Sequence, residues 1–373
     1  MRVLALNCGS SSVRAAVVET ADGKRVCERH EELDGRGHAE ILEAWTRDWQ
    51  GNASSELEGV EAVGHRVVHG GDAFAAPARI DATTLTQIES LSHWAPLHNP
   101  ANLEGIRALT RAFPQWPQVA VFDTAFHQTL PPRAFLYALP HSLYREHGIR
   151  RFGFHGSSHR AASKHALELL EIEAAGSRLI VAHLGNGCSA AAIQGGESVD
   201  TTMGLSPLEG LVMGTRSGDV DPAVHERLAQ IRGLDSAGVT ALLNEESGLL
   251  GLSELSGDMR TLERAAASGH AGALRAIEVF CYRLAKSLAS LMVPLGGLDA
   301  LVFTGGIGEN SAEIRRRCVS MLAPFGLSLD ADRNARHGAS SHGCVQDDTS
   351  TPILVIPADE EAAIAEETAR ALA

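Results

Sequence analysis

The chain has 373 residues, of which 44% are hydrophobic and 21% are charged, and its formal net charge is −14. A globular protein of this length has room for two domains, each with its own core. The acidic balance argues against broad binding to nucleic acid or to anionic membranes, because both need basic surface.

Two further features bear on the compartment. Strand-like apolar residues begin at Arg2, with no leader pattern before them, and the longest apolar stretch, residues 284–303, is interrupted by Lys286, Pro294 and Asp299. The six cysteines form neither a C-x-x-C pair nor a zinc-finger spacing. These features predict a cytoplasmic protein with reduced thiols that does not span a membrane.

Predicted elements alternate along the chain. In order, they are strands over residues 2–7, 13–19, 25–31 and 60–68, helices over 82–92 and 99–111, a strand over 119–122, a helix over 157–170, strands over 179–184, 189–194 and 197–202, a helix over 273–292 that stops at Pro294 and Gly296-Gly297, strands over 300–304 and 353–356, and a helix over 360–372. A strand, a Gly/Ser-rich turn and two more strands occur near residue 2 and again near residue 179. This repeat predicts two similar α/β domains that face one cleft, with the ligand between them.

Two turns between predicted strands have the composition of phosphate-binding loops. The first, N-C-G-S-S-S over residues 7–12, offers glycine for a tight turn, and hydroxyl and backbone N–H groups for phosphate oxygens. The second, H-L-G-N-G-C-S over residues 183–189, repeats this logic. An ordinary hairpin turn is the alternative for each, and G-x-x-x-x-G-K-[ST] is absent, so neither is a Walker loop.

A third glycine-rich segment, T-G-G-I-G-E-N-S over residues 304–311, joins a predicted strand to a helix through a bend. Such a bend lets an adenine or a ribose lie against the backbone, with Ile307 as an apolar contact. A connection that only needs positive φ is the alternative. Asp258, in the segment D-M-R, either caps a helix or holds the ribose and adenine.

Arg66 and Arg216 each stand among small residues, without an evident carboxylate partner nearby. A guanidinium in such a place suits a phosphoryl group in transfer, and a surface ion pair is the alternative. Asp123 ends a predicted strand, and Glu360 begins the last helix. With the amide oxygen of Asn7, these carboxylates are candidates to organise Mg²⁺. For the next residue, Glu361, we favour helix capping and an interaction with the helix dipole.

The 17 histidines include His155 and His159, which are four residues apart, a spacing that also suits zinc. The segment H-G-S-S-H lacks the glutamate of H-E-x-x-H, and no third ligand suggests itself. A zinc hydrolase is therefore the less favoured alternative. His155, beside Gly156 and a serine-rich helix start, better suits a hydrogen-bond donor to phosphate.

Together these segments resemble the acetate kinase family of the acetate and sugar kinase/Hsp70/actin superfamily. The matching motifs are N-x-G-S-S-S, H-R-V-V-H-G-G, P-L-H-N-P, F-D-T-A-F-H, R-F-G-F-H-G-S-S-H, H-L-G-N-G, T-M-G-L-S-P-L-E-G-L-V-M-G-T-R-S-G-D-V-D-P, D-M-R, G-G-I-G-E-N and D-E-E. They cover nearly the whole chain in order. The resemblance implies an α/β fold of two ribonuclease H-like (actin-like ATPase) domains flanking a central cleft, over residues 1–128 plus 360–373 and residues 129–359.

The resemblance also implies an activity, the reversible ATP-dependent phosphorylation of acetate to acetyl phosphate, a step of acetyl-CoA biosynthesis. Arg66, His155 and Arg216 would stabilise the phosphoryl group, and Asp123 would be the essential carboxylate. Asn7 and Glu360 would hold Mg²⁺ or Mn²⁺. The residues implied to bind ATP or ADP are Ser10, Ser12, Arg14, His183, Leu184, Gly185, Asn186, Gly187, Asp258, Met259, Arg260, Gly306, Ile307, Gly308, Glu309 and Asn310. The residues implied to bind the acid are Arg66, Val68, Leu97, Phe154 and Pro207.

The family implies a homodimer through the second domain, and the chain departs from the family at Arg14, where a lysine is usual. The chemistry fits the residues, because a carboxylate with a pKa of about 4 is already ionised at pH 7 and needs no general base. Alignment and charge neutralisation then dominate catalysis. The alternatives are a propionate or butyrate kinase of the same fold and a non-catalytic actin/Hsp70-like ATP-binding module.

Overall fold

The computed structural model describes residues 1–9, 12–96 and 98–373. Their contacts divide the chain into two compact units. The first unit comprises Met1–Gln128, Phe154–Ser158 and Asp359–Ala373, and the second comprises Thr129–Gly153 and His159–Ala358. The short segment Phe154–Ser158 therefore groups with the first unit, although it interrupts the second along the chain.

The strands, in chain order, are β1 (Arg2–Cys8), β2 (Ser12–Glu19), β3 (Lys24–Glu32), β4 (Val60–Val67), β5 (Ala78–Arg79), β6 (Gln118–Phe122), β7 (Arg178–Leu184), β8 (Cys188–Gln194), β9 (Glu197–Thr201), β10 (Ala300–Thr304) and β11 (Ile353–Val355). The α-helices are α1 (His38–Gln50), α2 (Ala82–Ser90), α3 (Asn99–Ala112), α4 (Pro132–Phe135), α5 (His141–His147), α6 (Gly156–Leu170), α7 (Pro222–Arg232), α8 (Ser236–Glu245), α9 (Gly248–Ser253), α10 (Met259–Ala267), α11 (Ala271–Leu295), α12 (Gly305–Asn310), α13 (Ala312–Met321), α14 (Ala331–Ala335) and α15 (Glu360–Leu372).

The two units have sheets of matching topology. The first sheet has the strand order β3-β2-β1-β4-β6-β5, in which β1, β2 and β3 are antiparallel neighbours and β4 and β6 run parallel to β1. The second sheet has the order β11-β10-β7-β8-β9, in which β7, β8 and β9 are antiparallel and β10 and β11 run parallel to β7. The repeat in the sequence is thus a repeat of sheet topology, and the predicted α/β class is confirmed.

Alternating side chains of β1 show how the first sheet is covered on both faces. Leu4 and Leu6 belong to a core with residues of α1 and α3. Val3 and Ala5 point the other way and pack with residues of α15. The C-terminal helix therefore covers one face of the sheet, and every second residue of β1 lies beneath it.

Two predicted elements differ in detail. Helix α11 runs past Pro294 to Leu295, so the stop predicted at Pro294 is wrong by one residue. The helix ends at Gly296, whose φ is +64°, as predicted from the Gly296-Gly297 pair. The predicted glycine-rich bend after β10 consists of one residue. Gly305 makes the bend with φ of +78° and is also the first residue of α12.

Within the described residues, no helix is long and apolar enough to cross a membrane. The six cysteines are all free thiols, and Cys8, Cys188, Cys281 and Cys318 are buried.

Candidate active site

Three neighbouring strands of the first unit direct polar side chains to the face that α15 covers. In β1, Asn7 lies on the same face of the strand as Val3 and Ala5, which pack with residues of this helix. Asp123 directly follows β6. By the alternation of side chains it lies on the same face as Val119 and Val121, which pack with Ile364 of α15. Arg66 lies near the end of β4, between these two strands. Because β1, β4 and β6 are parallel, their carboxyl ends bring these polar groups together.

Arg66 makes a bidentate ion pair with Asp123. Its Nε donates to Asp123 Oδ1 at 2.9 Å, and its Nη2 donates to Oδ2 at 2.7 Å. Its Nη1 donates to Asn7 Oδ1 at 3.1 Å and lies 3.7 Å from Glu360 Oε2. Asn7 Nδ2 closes the cluster by donating to the same Glu360 oxygen at 2.8 Å. Four of the predicted residues, separated by up to 353 positions in the chain, therefore form one connected group.

The prediction that Arg66 has no carboxylate partner is wrong. The side chain of Asp123 is only 4% exposed, and that of Arg66 is 19% exposed. Burial acts to lower the pKa of the Arg66 guanidinium, but the charges of Asp123 and Glu360 outweigh it and raise this pKa. The pair is a partly buried, bidentate ion pair rather than the exposed pair that was the alternative.

The start of α15 is fixed by residues other than Glu361. Asp359 caps the helix by accepting from the backbone N–H of Ala362 at 2.8 Å. Glu361 is buried and accepts from Arg25 Nη2 at 3.0 Å, so capping by Glu361 was the wrong expectation. Burial, followed by the charge of Glu360, raises the pKa of the Glu361 carboxyl. Arg25 also binds Asp359 and so holds the turn that presents Glu360.

His155 has a backbone conformation that is unusual for a residue with a side chain, with φ of +58°. The next residue, Gly156, donates its N–H to the backbone oxygen of Asp123 at 2.9 Å. A Cβ atom on Gly156 would lie 2.4 Å from that oxygen, so only glycine permits this approach. The close contact places His155, at the start of α6, beside the Asp123 segment.

The zinc alternative gains no support. Within residues 1–9, 12–96 and 98–373, no group of three His, Cys, Asp or Glu side chains is placed to hold a metal ion. The Nε2 atom of His159 lies 2.8 Å from Ser189 Oγ, so this ring nitrogen has a hydrogen-bonding role inside the second unit.

Apolar residues predicted to line the acid pocket lie beside this cluster in sequence and in the fold. Val68 directly follows β4 and is 4% exposed, and Phe154 is buried. The ring of Phe154 makes an edge contact with His69, with centroids 5.6 Å apart. The predicted pocket residue Leu97 lies outside the described residues.

Two asparagines of α3 were missed by sequence reasoning. Asn102 accepts from the N–H of Val68 at 3.1 Å and donates to the carbonyl of Cys8 at 3.0 Å. Asn99 makes two bonds to the backbone of His69. Both are fully enclosed by the first unit, and they fix the chain just after Arg66. Their signal was a pair of polar residues at i and i+3 on the buried side of a helix.

The first turn that we predict to bind phosphate lies between β1 and β2. Gly9 donates its N–H to the carbonyl of Ser12 at 2.9 Å, which closes the turn between β1 and β2. Ser12 is buried, and Arg14 is exposed on β2 directly across from Asn7. Ser10 lies outside the described residues.

The second turn that we predict to bind phosphate lies in the second unit and joins β7 to β8. It is closed by the N–H of Gly185, which donates to the carbonyl of Gly187 at 3.0 Å, and Asn186 at its tip is exposed. The carbonyl of Asn186 accepts from the N–H of Gly214 at 2.9 Å. His183 and Leu184, the last residues of β7, are buried beneath the turn. The turn and the loop that contains Arg216 are therefore tied together.

Arg216 is held within its own loop. Its Nη1 donates to the carbonyl of Pro207 at 3.0 Å and lies 3.7 Å from Met213 Sδ. The Pro207 end of the loop is anchored by Glu209, which accepts from Arg151 at 2.5 Å and from the hydroxyl of Tyr137. Because Glu209 lies between Pro207 and Arg216 in the chain, these hydrogen bonds brace the loop that contains both residues.

The segment D-M-R begins α10. Asp258 caps the helix by accepting from the N–H of Thr261 at 2.9 Å, and it pairs with Arg260, whose bond holds the pKa of the Asp258 carboxyl below its ordinary value. Met259 is buried, whereas Arg260 is 80% exposed. Capping, one of the two alternatives, is thus present, and a Cβ atom on Gly257, directly before Asp258, would lie 2.8 Å from the carbonyl oxygen of Gly214.

Helix α12 contains the third glycine-rich segment. A Cβ atom on Gly305 would lie 2.9 Å from the carbonyl oxygen of Leu184, so the start of α12 sits directly on the end of β7. Gly306 and Asn310 are exposed, Ile307 is half-buried, and Glu309 accepts from the N–H of Ala358 at 2.9 Å. Three of the segments predicted to bind the nucleotide, residues 183–187, 258–260 and 306–310, therefore lie close together within the second unit, around the carboxyl end of β7.

The first-unit cluster has the donor chemistry of a magnesium site. Asp123 and Glu360 supply carboxylate oxygens, and Asn7 supplies an amide oxygen that is bonded to Arg66 in this structure. Hard oxygen donors of this kind suit Mg²⁺ or Mn²⁺, with waters completing the shell. The residues present fit such an ion.

The duplicated sheet, with three antiparallel strands followed by two parallel strands in each unit, defines a protein of the actin-like ATPase fold. A family model described as the Acetokinase family matches residues 27–366. The chain belongs to this family, and the resemblance seen in the motifs is confirmed.

Relatives and solved structures agree with this assignment. The chain is 50% identical to the acetate kinase of Stutzerimonas stutzeri (strain A1501), over 98% of this chain and 97% of that protein. It is 48% identical to the acetate kinase of Shewanella oneidensis, over 98% and 97%. A propionate kinase from Francisella tularensis superposes with a TM-score of 0.91 at 42% identity, covering 99% of both chains. An acetate kinase from Porphyromonas gingivalis superposes with 0.89 at 37% identity, covering 100% of both.

Proposed function

We propose that this protein transfers the γ-phosphoryl group of ATP to the carboxylate of acetate, giving acetyl phosphate and ADP, and that it also catalyses the reverse reaction. A carboxylate oxygen attacks the γ-phosphorus, and the bond to the β–γ bridging oxygen breaks. The observation behind the proposal is the match, at 50% identity over 98% of the chain, to an acetate kinase.

The proposal assigns charge neutralisation to the cationic residues. Acetate is already an anion at pH 7, so the enzyme must bring it to an anionic γ-phosphate rather than remove a proton from it. Arg66, Arg216 and His155 stabilise the phosphoryl group in transfer. Asp123 holds the guanidinium plane of Arg66 through two hydrogen bonds, and so orients the cation that meets the phosphoryl group.

Asn7 and Glu360 would hold Mg²⁺ or Mn²⁺, with Asp123 nearby. When bound, the ion supplies positive charge to the phosphate oxygens of the nucleotide. ATP or ADP would lie along the turn at His183–Gly187, the start of α10 and the exposed face of α12. Arg14 would contact the nucleotide as the cation across from Asn7. We also propose a cytoplasmic location and a homodimer formed through the second domain.

A coupled assay with ATP and Mg²⁺ across formate, acetate, propionate and butyrate tests the function. Hydroxylamine traps an acyl phosphate as a hydroxamate, so product formation is read independently of ADP release. We expect acetate to give the highest kcat/KM. ATP binding without hydroxamate would identify a non-catalytic ATP-binding module, and stoichiometric zinc in the purified protein would point to the hydrolase alternative.

A propionate kinase is the second candidate, because the Francisella tularensis propionate kinase superposes with a TM-score of 0.91. The two candidates differ by one methylene in the acid pocket, a difference worth about 1–3 kcal/mol. Preference for propionate over acetate in the same assay would favour this candidate.

The preference of the enzyme for acids of different chain length should depend on Val68, which lies two residues after Arg66 and is 4% exposed. The chain bends at Val68, directly after β4, and we propose that Arg66 meets the carboxylate while Val68, two residues on, meets the methyl group. Val68→Ala should raise the propionate-to-acetate ratio of kcat/KM about 10-fold. Val67→Ala is the matched control, because it removes the same volume from a core site with no exposed surface and should lower both activities alike. An unchanged ratio in folded Val68→Ala would place the methyl pocket elsewhere.

A further inference from the structure

Three consecutive arginines on α13 have very different surroundings. Arg316 and Arg317 are partly exposed and pair with Glu313 at 2.7 Å and 2.6 Å. Arg315, between Ile314 and Arg316, has no exposed surface at all and is the largest fully buried side chain of the described residues. An arginine is almost never buried completely unless its guanidinium is paired.

All five N–H donors of Arg315 are used, and all the acceptors are neutral. Nη1 donates to the carbonyls of Gly308 at 2.7 Å and Glu309 at 2.9 Å. Nε donates to Asn334 Oδ1 at 2.8 Å, and Nη2 donates to the Asn334 carbonyl at 2.9 Å and to His337 Nδ1 at 3.0 Å. Burial lowers the pKa of Arg315 to about 10, so the side chain is still a cation at neutral pH. Its charge is therefore met by oriented carbonyl and amide dipoles rather than by an ion pair.

Two of these acceptors are carbonyls of the last turn of α12. Carbonyls at the end of a helix have no partner within the helix and carry the negative end of its dipole, so a cation there is stabilising. A helix of six residues is too short to be stable by itself. Arg315 thus donates hydrogen bonds to two carbonyls, those of Gly308 and Glu309, that have no partner within α12.

The other acceptors, Asn334 and His337, connect Arg315 to the chain at and just after α14. Asn334, on α14, is 4% exposed and donates through Nδ2 to the carbonyl of Ala312 at 2.9 Å. Ser311, between α12 and α13, caps α13 and donates its hydroxyl to Glu263 of α10. The last turn of α12 is therefore joined to α13, α14 and α10 through buried or half-buried polar groups.

We infer that Arg315 is a positioning residue for the nucleotide: it holds α12 in the shape in which its exposed residues Gly306 and Asn310 receive ATP or ADP. This inference rests on the proposed nucleotide role of residues 306–310. Arg315 itself is enclosed and does not touch the ligand. Its loss should weaken the binding of the nucleotide and leave the acid unaffected, since the acid is assigned to residues of the first unit and to Pro207.

Arg315→Lys tests the inference, because lysine keeps the charge but cannot reach both α12 and α14 with one ammonium group. We expect the KM for ATP and for ADP to rise about 10-fold, with the KM for acetate and kcat at saturating ATP changed by less than about twofold. Arg316→Lys, the exposed neighbour, is the matched control and should leave all constants unchanged. A proportional loss on both substrates, or an unchanged KM for ATP, would show that Arg315 is only part of the core.

Gly306→Val separates this inference from the nucleotide assignment beneath it. Gly306 is exposed, and a Cβ atom there would meet nothing within 4 Å, so the fold tolerates the side chain but a bound nucleotide should not. If Gly306→Val raises the KM for ATP and Arg315→Lys does not, the positioning role is overturned and the nucleotide site stands. If neither variant changes it, the nucleotide assignment itself fails, and the positioning role fails with it.

His337→Gly gives a second measurement should Arg315→Lys not fold. His337 is exposed, and its φ of +54° suits glycine, so the change removes one acceptor of Arg315 at little cost to the fold. We expect a two- to threefold rise in the KM for ATP, about a quarter to a half of the Arg315→Lys effect on a logarithmic scale. An unchanged KM for ATP in His337→Gly would count against the inference.

Discussion

Replacing Arg216 with lysine should reduce kcat by about 10²- to 10⁴-fold while the KM for ATP stays within about twofold of its original value. The guanidinium of Arg216 donates to the carbonyl of Pro207 at 3.0 Å, which sets the plane of its fork. A lysine keeps the positive charge but has a single ammonium group, which cannot both hold that carbonyl and present a planar pair of donors to phosphoryl oxygens. The loss should therefore appear in the transition state rather than in nucleotide binding.

Steady-state kinetics together with calorimetric titration of ADP would measure both effects. Arg227→Lys, on the exposed surface of α7, is the matched control and should change neither constant. A lysine variant with kcat close to that of the original enzyme would remove Arg216 from the transition state. A large rise in the dissociation constant for ADP would instead assign this arginine to the nucleotide.

The elements and the turns of this protein follow from local patterns. The two turns that connect β1 to β2 and β7 to β8 could be located because each joins two apolar strands with glycine and small polar residues, and the first is closed by the short-range bond from Gly9 to Ser12. Their binding of phosphate stays a prediction. The start of α10 was left open between capping and ligand binding, and the cap is present. Such features involve residues a few positions apart, which is the range that sequence patterns describe.

The contacts of the first-unit site could not be predicted in the same way. Arg66 and Asp123 are 57 residues apart, and they meet only because β4 and β6 are parallel neighbours in the sheet. Arg315 on α13 is a partial case, because Ile314, Cys318 and Val319 recur at helical spacing and place it on the buried face of the helix. The acceptors of its guanidinium, up to 22 residues away, could not be predicted in this way. Sheet order is decided by packing over the whole unit, and no local pattern encodes it.

Asp123→Asn should lower kcat/KM about 10³-fold with acetate and ATP. The carboxylate accepts from Nε and Nη2 of Arg66 at 2.9 Å and 2.7 Å. An amide offers one oxygen and turns an N–H₂ group toward a guanidinium, so one of the two bonds is replaced by a repulsive contact and Arg66 loses its orientation. The side chain of Asp123 is only 4% exposed, so some stability should be lost as well, and the melting temperature must be recorded alongside the kinetics.

A double-mutant cycle with Arg66→Gln decides how Asp123 acts. If Asp123 works by orienting Arg66, the guanidinium and the carboxylate form one functional unit, and the double variant should be no slower than Arg66→Gln alone. If Asp123 acts by itself, as a base or a ligand of the metal ion would, the two losses should multiply in the double variant. Because the acceptor carboxylate is already ionised at neutral pH, no proton has to be removed for transfer. We therefore expect the first result, and multiplied losses would contradict the orienting role proposed for Asp123.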